Sequence, residues 1–456
     1  MAERNHDPLR FDGGHAHKVP EHFDCETAFA YGQAAAAILR PQGADRIIVG
    51  TDTRLSADML SSAVSSGIMS AGVNVFPAGV ITAGEAAFLA AAENAPCILI
   101  TASEEKYDYN GLKIFGTDGR VLQQDTVRRI ETAACGELQA AVNAPGRFVQ
   151  RKTEDSYVSA VRKIPALMGA VDLRGMFIAI DCNNGSAGQI ISTLFSKYGA
   201  RIFLLSTDPD GMNINTSDVS ALSSFVTEHR CTAGFMFNAD ASRVICIDEK
   251  GQQCSSDNIF AVLTVFLDKS GLLKDHTAVT TNLTNSAVFA HCEAEGIKIK
   301  RSGLGERNMA NHVEKGVSNF ASYGGMNGAF IFTGHEDLKL PCTFDGLTAA
   351  MLILSVLRCK GKKMSEIAAE MERFPQVELN IKITENMREV WKNIPEIEEA
   401  VDRYTAELAP HGRITVREGK DPVITVIAEG ADFNNINRIA MELAEVIHRC
   451  VKQQAQ

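Results

Sequence analysis

The chain has 456 residues, 45% hydrophobic and 22% charged, ordinary for a globular protein, and at about 150 residues per domain it is too long for one core and predicts three or four domains with clefts between them. A net charge of −11 argues against broad nucleic-acid binding, which needs a basic stripe to displace counterions, but leaves room for a small anion held by a few local cations. No apolar run reaches the ~20 residues that span a bilayer, the polar start Met1 to Asp7 lacks an apolar signal segment, and the eleven cysteines are scattered without a C-x-x-C pair, as expected of reduced cytoplasmic thiols rather than disulfides or zinc ligands.

In chain order, Arg46-Ile47-Ile48-Val49 reads as a strand, residues 57–71 as a helix, Asn74-Val75-Phe76 as a short strand and 86–93 as a helix. This is βαβ grammar. The apolar run Cys97-Ile98-Leu99-Ile100 reads as a buried strand, and Ser103 begins the polar turn after it, where a hydroxyl is exposed at a strand's carboxyl end. By residue type alone such a serine is a turn residue or helix cap. Residues 112–115 and 120–122 flank the turn Thr117-Asp118-Gly119 as a hairpin, and a helix-like stretch runs to about residue 143.

A second unit opens with the strand Phe177-Ile178-Ala179-Ile180-Asp181, the turn Asn184-Gly185 and a helix ending near Tyr198. Strands at 202–205, 234–237 and 244–247 follow, the last two flanking Asn238 to Arg243. A third unit has a helix at 258–267, a strand at 278–281, a helix at 286–295 and a long apolar helix from Gly346 to Leu357. From Pro375 the period changes: Val377, Leu379, Ile381 and Ile383 alternate with polar residues, the mark of a half-exposed antiparallel strand. Strands at 414–416 and 423–427 and a helix at 434–451 complete a small α+β domain. No close sequence repeat is visible, though three α/β units in a row hint at related architecture.

The order of these parts, and the motifs within them, resemble the α-D-phosphohexomutase family of phosphoglucomutases, phosphomannomutases and phosphoglucosamine mutases over nearly the whole chain. Thr101-Ala102-Ser103 and Tyr109-Asn110-Gly111-Leu112-Lys113 match the family's T-A-S-H-N-P-x-x-Y-N-G-x-K without a gap. Gly50-Thr51-Asp52-Thr53-Arg54-Leu55-Ser56 is similar to G-R-D-T-R-x-S, a bracing element, and Asn213-Ile214-Asn215 after Asp210-Gly211 is most similar to the phosphoglucosamine mutase branch. The resemblance implies an α/β fold: three consecutive mixed-sheet α/β domains plus a C-terminal α+β domain around a central cleft, with boundaries at 1–153, 154–255, 256–368 and 369–456. It also implies that Ser103 carries the phosphoryl group and that Lys113 moves a proton.

The functional loops depart from the family pattern. Glu104-Glu105-Lys106 replace His-Asn-Pro, and two carboxylates beside a phosphoserine repel it unless they turn away or hold a cation. His15 falls where an arginine is expected, so a permanent cation becomes a titratable one. The magnesium loop D-G-D-x-D-R becomes Asn238-Ala239-Asp240-Ala241-Ser242-Arg243, leaving Asp240 as the metal ligand with Asn238 and Ser242 as neutral replacements. Magnesium prefers charged oxygens, and each lost carboxylate removes ~4 kcal/mol of Coulomb energy at an effective dielectric of about 20, before compensation. The sugar loop G-E-x-S-G-H becomes Gly325-Met326-Asn327-Gly328-Ala329, and the phosphate loop R-x-S-G-T-E-P becomes Arg417-Glu418-Gly419-Lys420-Asp421-Pro422.

Gly305-Glu306-Arg307 resembles the family's G-D-R, so the resemblance implies Arg243, Arg307, Asn327, Arg417 and Lys420 as substrate-binding candidates, toward a hexose or hexosamine phosphate, with Mg2+ binding weakened. Two functions stay open. One is a non-catalytic or strongly impaired mutase paralogue that binds a phosphosugar or a protein partner such as an active mutase. The other is an active phosphosugar mutase, an intramolecular phosphotransferase working through phosphorylated Ser103.

Overall fold

Cys97–Ile100 is buried along its whole length because strands flank it on both sides and helices cover both faces, the setting in which a strand reads as a continuous apolar run. Ile98 and Ile100 face one core, Cys97 and Leu99 another. The computed structural model describes residues 9–11, 15–136, 144–149, 156–325, 328–334, 338, 340–384, 387, 390–418 and 422–454. Its fold is α/β with mixed sheets.

One compact unit comprises residues 1–283 and 298–368 and contains three sheets of the same design. In each, the first strand is central, the second lies parallel on one side, the third lies parallel on the other, and the fourth returns antiparallel beside the third. The first sheet uses Arg46–Thr51, Asn74–Val80, Cys97–Ile100 and Leu112–Phe115 in that sequence order. Phe177–Asp181, Arg201–Leu205, Ala233–Phe237 and Val244–Ile247 form the second, with a short fifth strand, Gln253–Cys254, added beside the fourth. The third is built from Thr277–Thr281, Lys298–Ser302, Phe320–Ser322 and Phe330–Phe332. The related architecture hinted at by the sequence is thus a repeated topology without a sequence repeat. The loop after the third strand therefore begins at the same carboxyl end each time, at Thr101, Asn238 and Tyr323.

The helix Cys25–Leu39, which no sequence signal marked, is capped by Asp24 accepting from the Thr27 amide and packs across Ala57–Ser70. The two backbones meet at glycines. A Cβ on Gly32 would lie 2.2 Å from the Val64 carbonyl oxygen, and one on Gly67 would lie 2.0 Å from that of Phe29. Ala83–Glu93 starts three residues before the expected 86 because Thr82 and Glu85 form a capping box, each satisfying the other's free amide. The expected hairpin after residue 115 is reduced to one bridge, Phe115 with Val121. The helix expected to run to 143 is Gln124–Ala134, and residues 137–143 lie outside those described. Gly346–Lys360 is buried over three turns and capped by Asp345, whose carboxylate accepts from the Leu347 and Thr348 amides and from Tyr157 Oη. Burial pushes the Asp345 carboxyl above its ordinary range.

The other unit comprises 284–297 and 369–456. Its antiparallel sheet runs Gln376–Lys382, Val423–Glu429, Arg413–Glu418, with Pro395–Leu408 and Phe433–Gln454 closing an apolar core. Fully buried Glu429 accepts from the Ser286 amide at 2.6 Å, Asn285 Nδ2 at 3.0 Å and Gln376 Nε2 at 2.8 Å, and pairs with Arg413. That network ties the 284–297 segment to the sheet. All eleven cysteines are free, eight of them buried, and among the described residues no helix is long and apolar enough to cross a membrane.

Candidate active site

Ser103 occupies the turn directly after Cys97–Ile100 with φ of 52°, a left-handed backbone that a non-glycine residue adopts only when its surroundings hold it. Those surroundings are specific. Thr101 Oγ1 accepts from the Ser103 amide at 3.0 Å and donates to Asp52 at 2.7 Å. Arg54 pairs with Asp52 and donates to the Glu105 carbonyl at 2.6 Å. Burial pushes the Asp52 carboxyl upward, against the pull of Arg54. From the loop that follows Arg201–Leu205, Asn215 Nδ2 donates to the carbonyls of Ser103 at 2.8 Å and Glu105 at 2.9 Å. The bracing expected of Asp52 and Arg54 is joined by Asn215, which the sequence offered only as a branch marker.

The loop 238–243 is equally fixed. The carbonyl of Ala239 accepts from Ser186, that of Asp240 from the Ala83 amide and that of Ala241 from the Gly346 amide. Gly185 and Gly346 allow this approach, since a Cβ on Gly346 would lie 2.8 Å from the Arg243 carbonyl and one on Gly185 2.6 Å from that of Ala239. The Ser103 hydroxyl faces the loop, donating to Asp240 Oδ1 at 3.4 Å and lying 3.4 Å from Ser242 Oγ. Asn238 Nδ2 stands among all three groups, 2.9 Å from Ser103 Oγ, 3.0 Å from Asp240 Oδ1 and 3.1 Å from Ser242 Oγ. Its oxygen turns the other way and accepts from the Arg243 amide at 2.9 Å.

This donor set does not fit the magnesium ion that the resemblance implies. A hard dication wants near-octahedral oxygen, much of it charged. Here one carboxylate and two hydroxyls surround an N–H donor, and among the described residues no group of three or more His, Cys, Asp or Glu side chains could hold a metal. Asp240 Oδ2, buried without a hydrogen-bond partner, is the one carboxylate oxygen of the loop left for a cation.

Ser103, Lys113, Asp240, Ser242, Arg243 and Arg307 line one cavity of about 400 Å³, with His15, Glu104 and Glu105 at its wall. The cations already have partners. Arg243 pairs with Glu104 at 3.3 Å and lies 5.7 Å from the Tyr323 ring centroid. Lys113 Nζ pairs with Glu306 at 2.7 Å, and Arg307 Nε donates to the Leu122 carbonyl at 2.6 Å. Glu306 also accepts from the Phe344 amide at 3.0 Å, so it is shared between a backbone brace and the lysine. Glu306, Tyr323 and Phe344 also line the cavity; the sequence named Arg307 beside Glu306 but gave none of these three a role. In the third loop Ala329 is buried in the core, while Asn327 and Met326 lie outside the described residues. Arg417 is exposed on a strand of the other unit, and Lys420 lies outside the described residues.

Models of the phosphoglucomutase/phosphomannomutase alpha/beta/alpha domains match in order, domain I over residues 12–140, domain II over 155–251 and domain III over 255–374. The phosphoglucosamine mutase of Acetivibrio thermocellus is 32% identical over 436 residues, covering 92% of this chain and 94% of that protein. That of a Thermoanaerobacter species is 31% identical, covering 93% and 95%. Among solved structures, a phosphoglucomutase/phosphomannomutase family protein from Burkholderia thailandensis superposes with a TM-score of 0.77 at 20% identity, covering 95% of both chains. Aspergillus fumigatus N-acetylphosphoglucosamine mutase, solved in complex with GlcNAc-6P and magnesium, superposes with a TM-score of 0.64 at 13% identity, covering 98% of this chain and 96% of that one. With three consecutive domain matches and relatives above 30% identity over nearly their full length, the chain belongs to the phosphoglucomutase/phosphomannomutase family of α-D-phosphohexomutases, with phosphoglucosamine mutases among its relatives.

Proposed function

We propose that the chain binds a hexose or hexosamine phosphate in the cavity beside Ser103 and transfers its phosphoryl group very slowly or not at all, as an impaired paralogue of the mutases it resembles. The observation carrying this reading is that the Ser103 hydroxyl faces a hydrogen-bonded group centred on the neutral Asn238 amide. Phosphoryl transfer depends on cationic charge that offsets the equatorial oxygens in the transition state, and an amide supplies only a partial charge. Arg243, Lys113 and Arg307 are at the cavity wall, and a phosphate that displaces Glu104 from Arg243 and Glu306 from Lys113 would be held by them.

The test is a coupled mutase assay on hexose and hexosamine phosphates with magnesium and a sugar-bisphosphate activator, beside Ser103→Ala and an active family member. Calorimetric titration with glucosamine 6-phosphate is run in parallel. The expected result is binding without turnover that depends on Ser103. Turnover lost in Ser103→Ala overturns the reading.

A second reading, an active mutase, is favoured by the intact Ser103 turn, held left-handed by Thr101, with Arg54 and Asn215 gripping its backbone. Its signature is a phosphorylated Ser103 peptide in the purified protein that disappears on incubation with substrate.

A further inference from the structure

We infer that the Asn238 carboxamide takes the place of the divalent cation, so that this chain holds Ser103 against the 238–243 loop without any divalent ion. The amide nitrogen is the common neighbour of Ser103 Oγ, Asp240 Oδ1 and Ser242 Oγ at 2.9, 3.0 and 3.1 Å, gathering oxygens from two loops as an ion would. Its orientation is set by an independent contact, because Asn238 Oδ1 accepts from the Arg243 amide at 2.9 Å. Turning the group over would break that bond and bring two oxygens together at Asp240.

Ser242 completes the exchange. Its hydroxyl donates to Asp240 Oδ1 at 2.6 Å and accepts from Asn238, and its amide donates to the same carboxylate oxygen at 3.1 Å. The two replacements of acidic residues are therefore complementary, one supplying the donors and the other relaying them. Asp240 Oδ1 is saturated. Asp240 Oδ2 is buried and unpartnered, a single carboxylate oxygen where a hard dication wants several. The backbone around the loop is locked by Ser186, Ala83 and Gly346, so the side-chain exchange leaves the scaffold in place and is open to reversal.

The experiment titrates the full-length wild type, Asn238→Asp and Asn238→Asp/Ser242→Asp with Mn2+, followed by electron paramagnetic resonance, and melts each with and without Mg2+. Asn238→Asp keeps the acceptor for the Arg243 amide but turns the contacts of Nδ2 with Ser103, Asp240 and Ser242 into oxygen–oxygen contacts. The wild type is expected to bind no stoichiometric Mn2+ and to melt at the same temperature with or without Mg2+. Without an ion both variants melt lower, and Mg2+ restores them. The double variant binds one Mn2+ at least ~100-fold tighter than the wild type, as two added carboxylates require. One tight Mn2+ in the wild type, lost in Asp240→Asn, overturns the inference. So does a double variant that binds no better than the wild type. If the double variant does not fold, the wild-type titration and the melting of Asn238→Asp decide. Neither readout involves a sugar phosphate, so failure here is separable from failure of the binding assay.

Discussion

Asn215 is the perturbation whose effect on the serine loop can be worked through most directly. Its Nδ2 donates to the Ser103 and Glu105 carbonyls at 2.8 and 2.9 Å, across a sequence separation of 112 and 110 residues. Its Oδ1 is buried without a partner, so the side chain acts through its NH2 group alone. Glu105 keeps a second donor, Arg54 Nη2 at 2.6 Å, whereas the Ser103 carbonyl depends on Asn215. Losing one full and one shared hydrogen bond costs about 1.5 kcal/mol at the net worth of neutral bonds. Asn215 itself has φ of 54°, and alanine there adds about 1 kcal/mol of left-handed strain that glycine avoids.

Amide hydrogen exchange of residues 103–111 reads these terms as local opening. Asn215→Gly should speed exchange roughly tenfold and Asn215→Ala roughly 60-fold, since each 1.4 kcal/mol is a factor of ten. Unchanged exchange in both variants would refute the reasoning, because the loop would then be held by Arg54 and Thr101 alone. Equal acceleration in the two would show that the left-handed backbone contributes nothing.

Gly67→Ala forces a Cβ to within 2.0 Å of the Phe29 carbonyl and should destabilise the first sheet's helix pair by about 3 kcal/mol in denaturant unfolding; a neutral or stabilised protein, as helix propensity alone predicts, would count against the close packing. Glu104→Gln removes the partner lying 3.3 Å from Arg243 and should tighten binding of inorganic phosphate by about two- to fivefold at low salt, the scale of an exposed pair; an unchanged calorimetric Kd would show that Arg243 is not a phosphate contact. Asp210 accepts from the Met212 and Asn213 amides at 2.8 Å each, and those bonds hold its carboxyl below the ordinary 3.8. A depressed folded value means that its stabilisation is present above 3.8 and is lost as pH falls through the folded value. The melting difference between wild type and Asp210→Ala should therefore persist from pH 7 to 5 and shrink toward pH 3, and a difference that grows on acidification would reverse the sign.

Much of the fold was legible locally. Runs such as Ile47-Ile48-Val49 and Phe235-Met236-Phe237 are buried on both faces, so their apolar continuity marks them as strands. Gly346–Lys360 announced itself by the same continuity. The alternation of Val377, Leu379 and Ile381 identified the change to an antiparallel sheet. What escaped was marked weakly. Cys25–Leu39 is rich in alanine and carries little contrast between its faces, and Lys298–Ser302 is an edge strand whose Lys-Ile-Lys-Arg-Ser sequence reads as polar.

The sequence by itself also named candidates that line one cavity, Ser103 at a strand end, Asp240, Ser242 and Arg243 of the altered loop, Lys113 and Arg307, along with Asn327, Arg417 and Lys420, which it could not place there. Only the tertiary structure decided how these parts interact. That Asn238 turns its nitrogen toward Ser103 depends on the Arg243 amide taking its oxygen. That Lys113 meets Glu306 depends on a strand of the first sheet and the start of the helix Glu306–Glu314 facing one cavity. Local propensity reports on neighbours a few residues away, whereas hydrogen bonds spanning more than a hundred residues are set by sheet topology. Three sheets with one strand order bring their equivalent loops together, and no single stretch of sequence encodes that meeting.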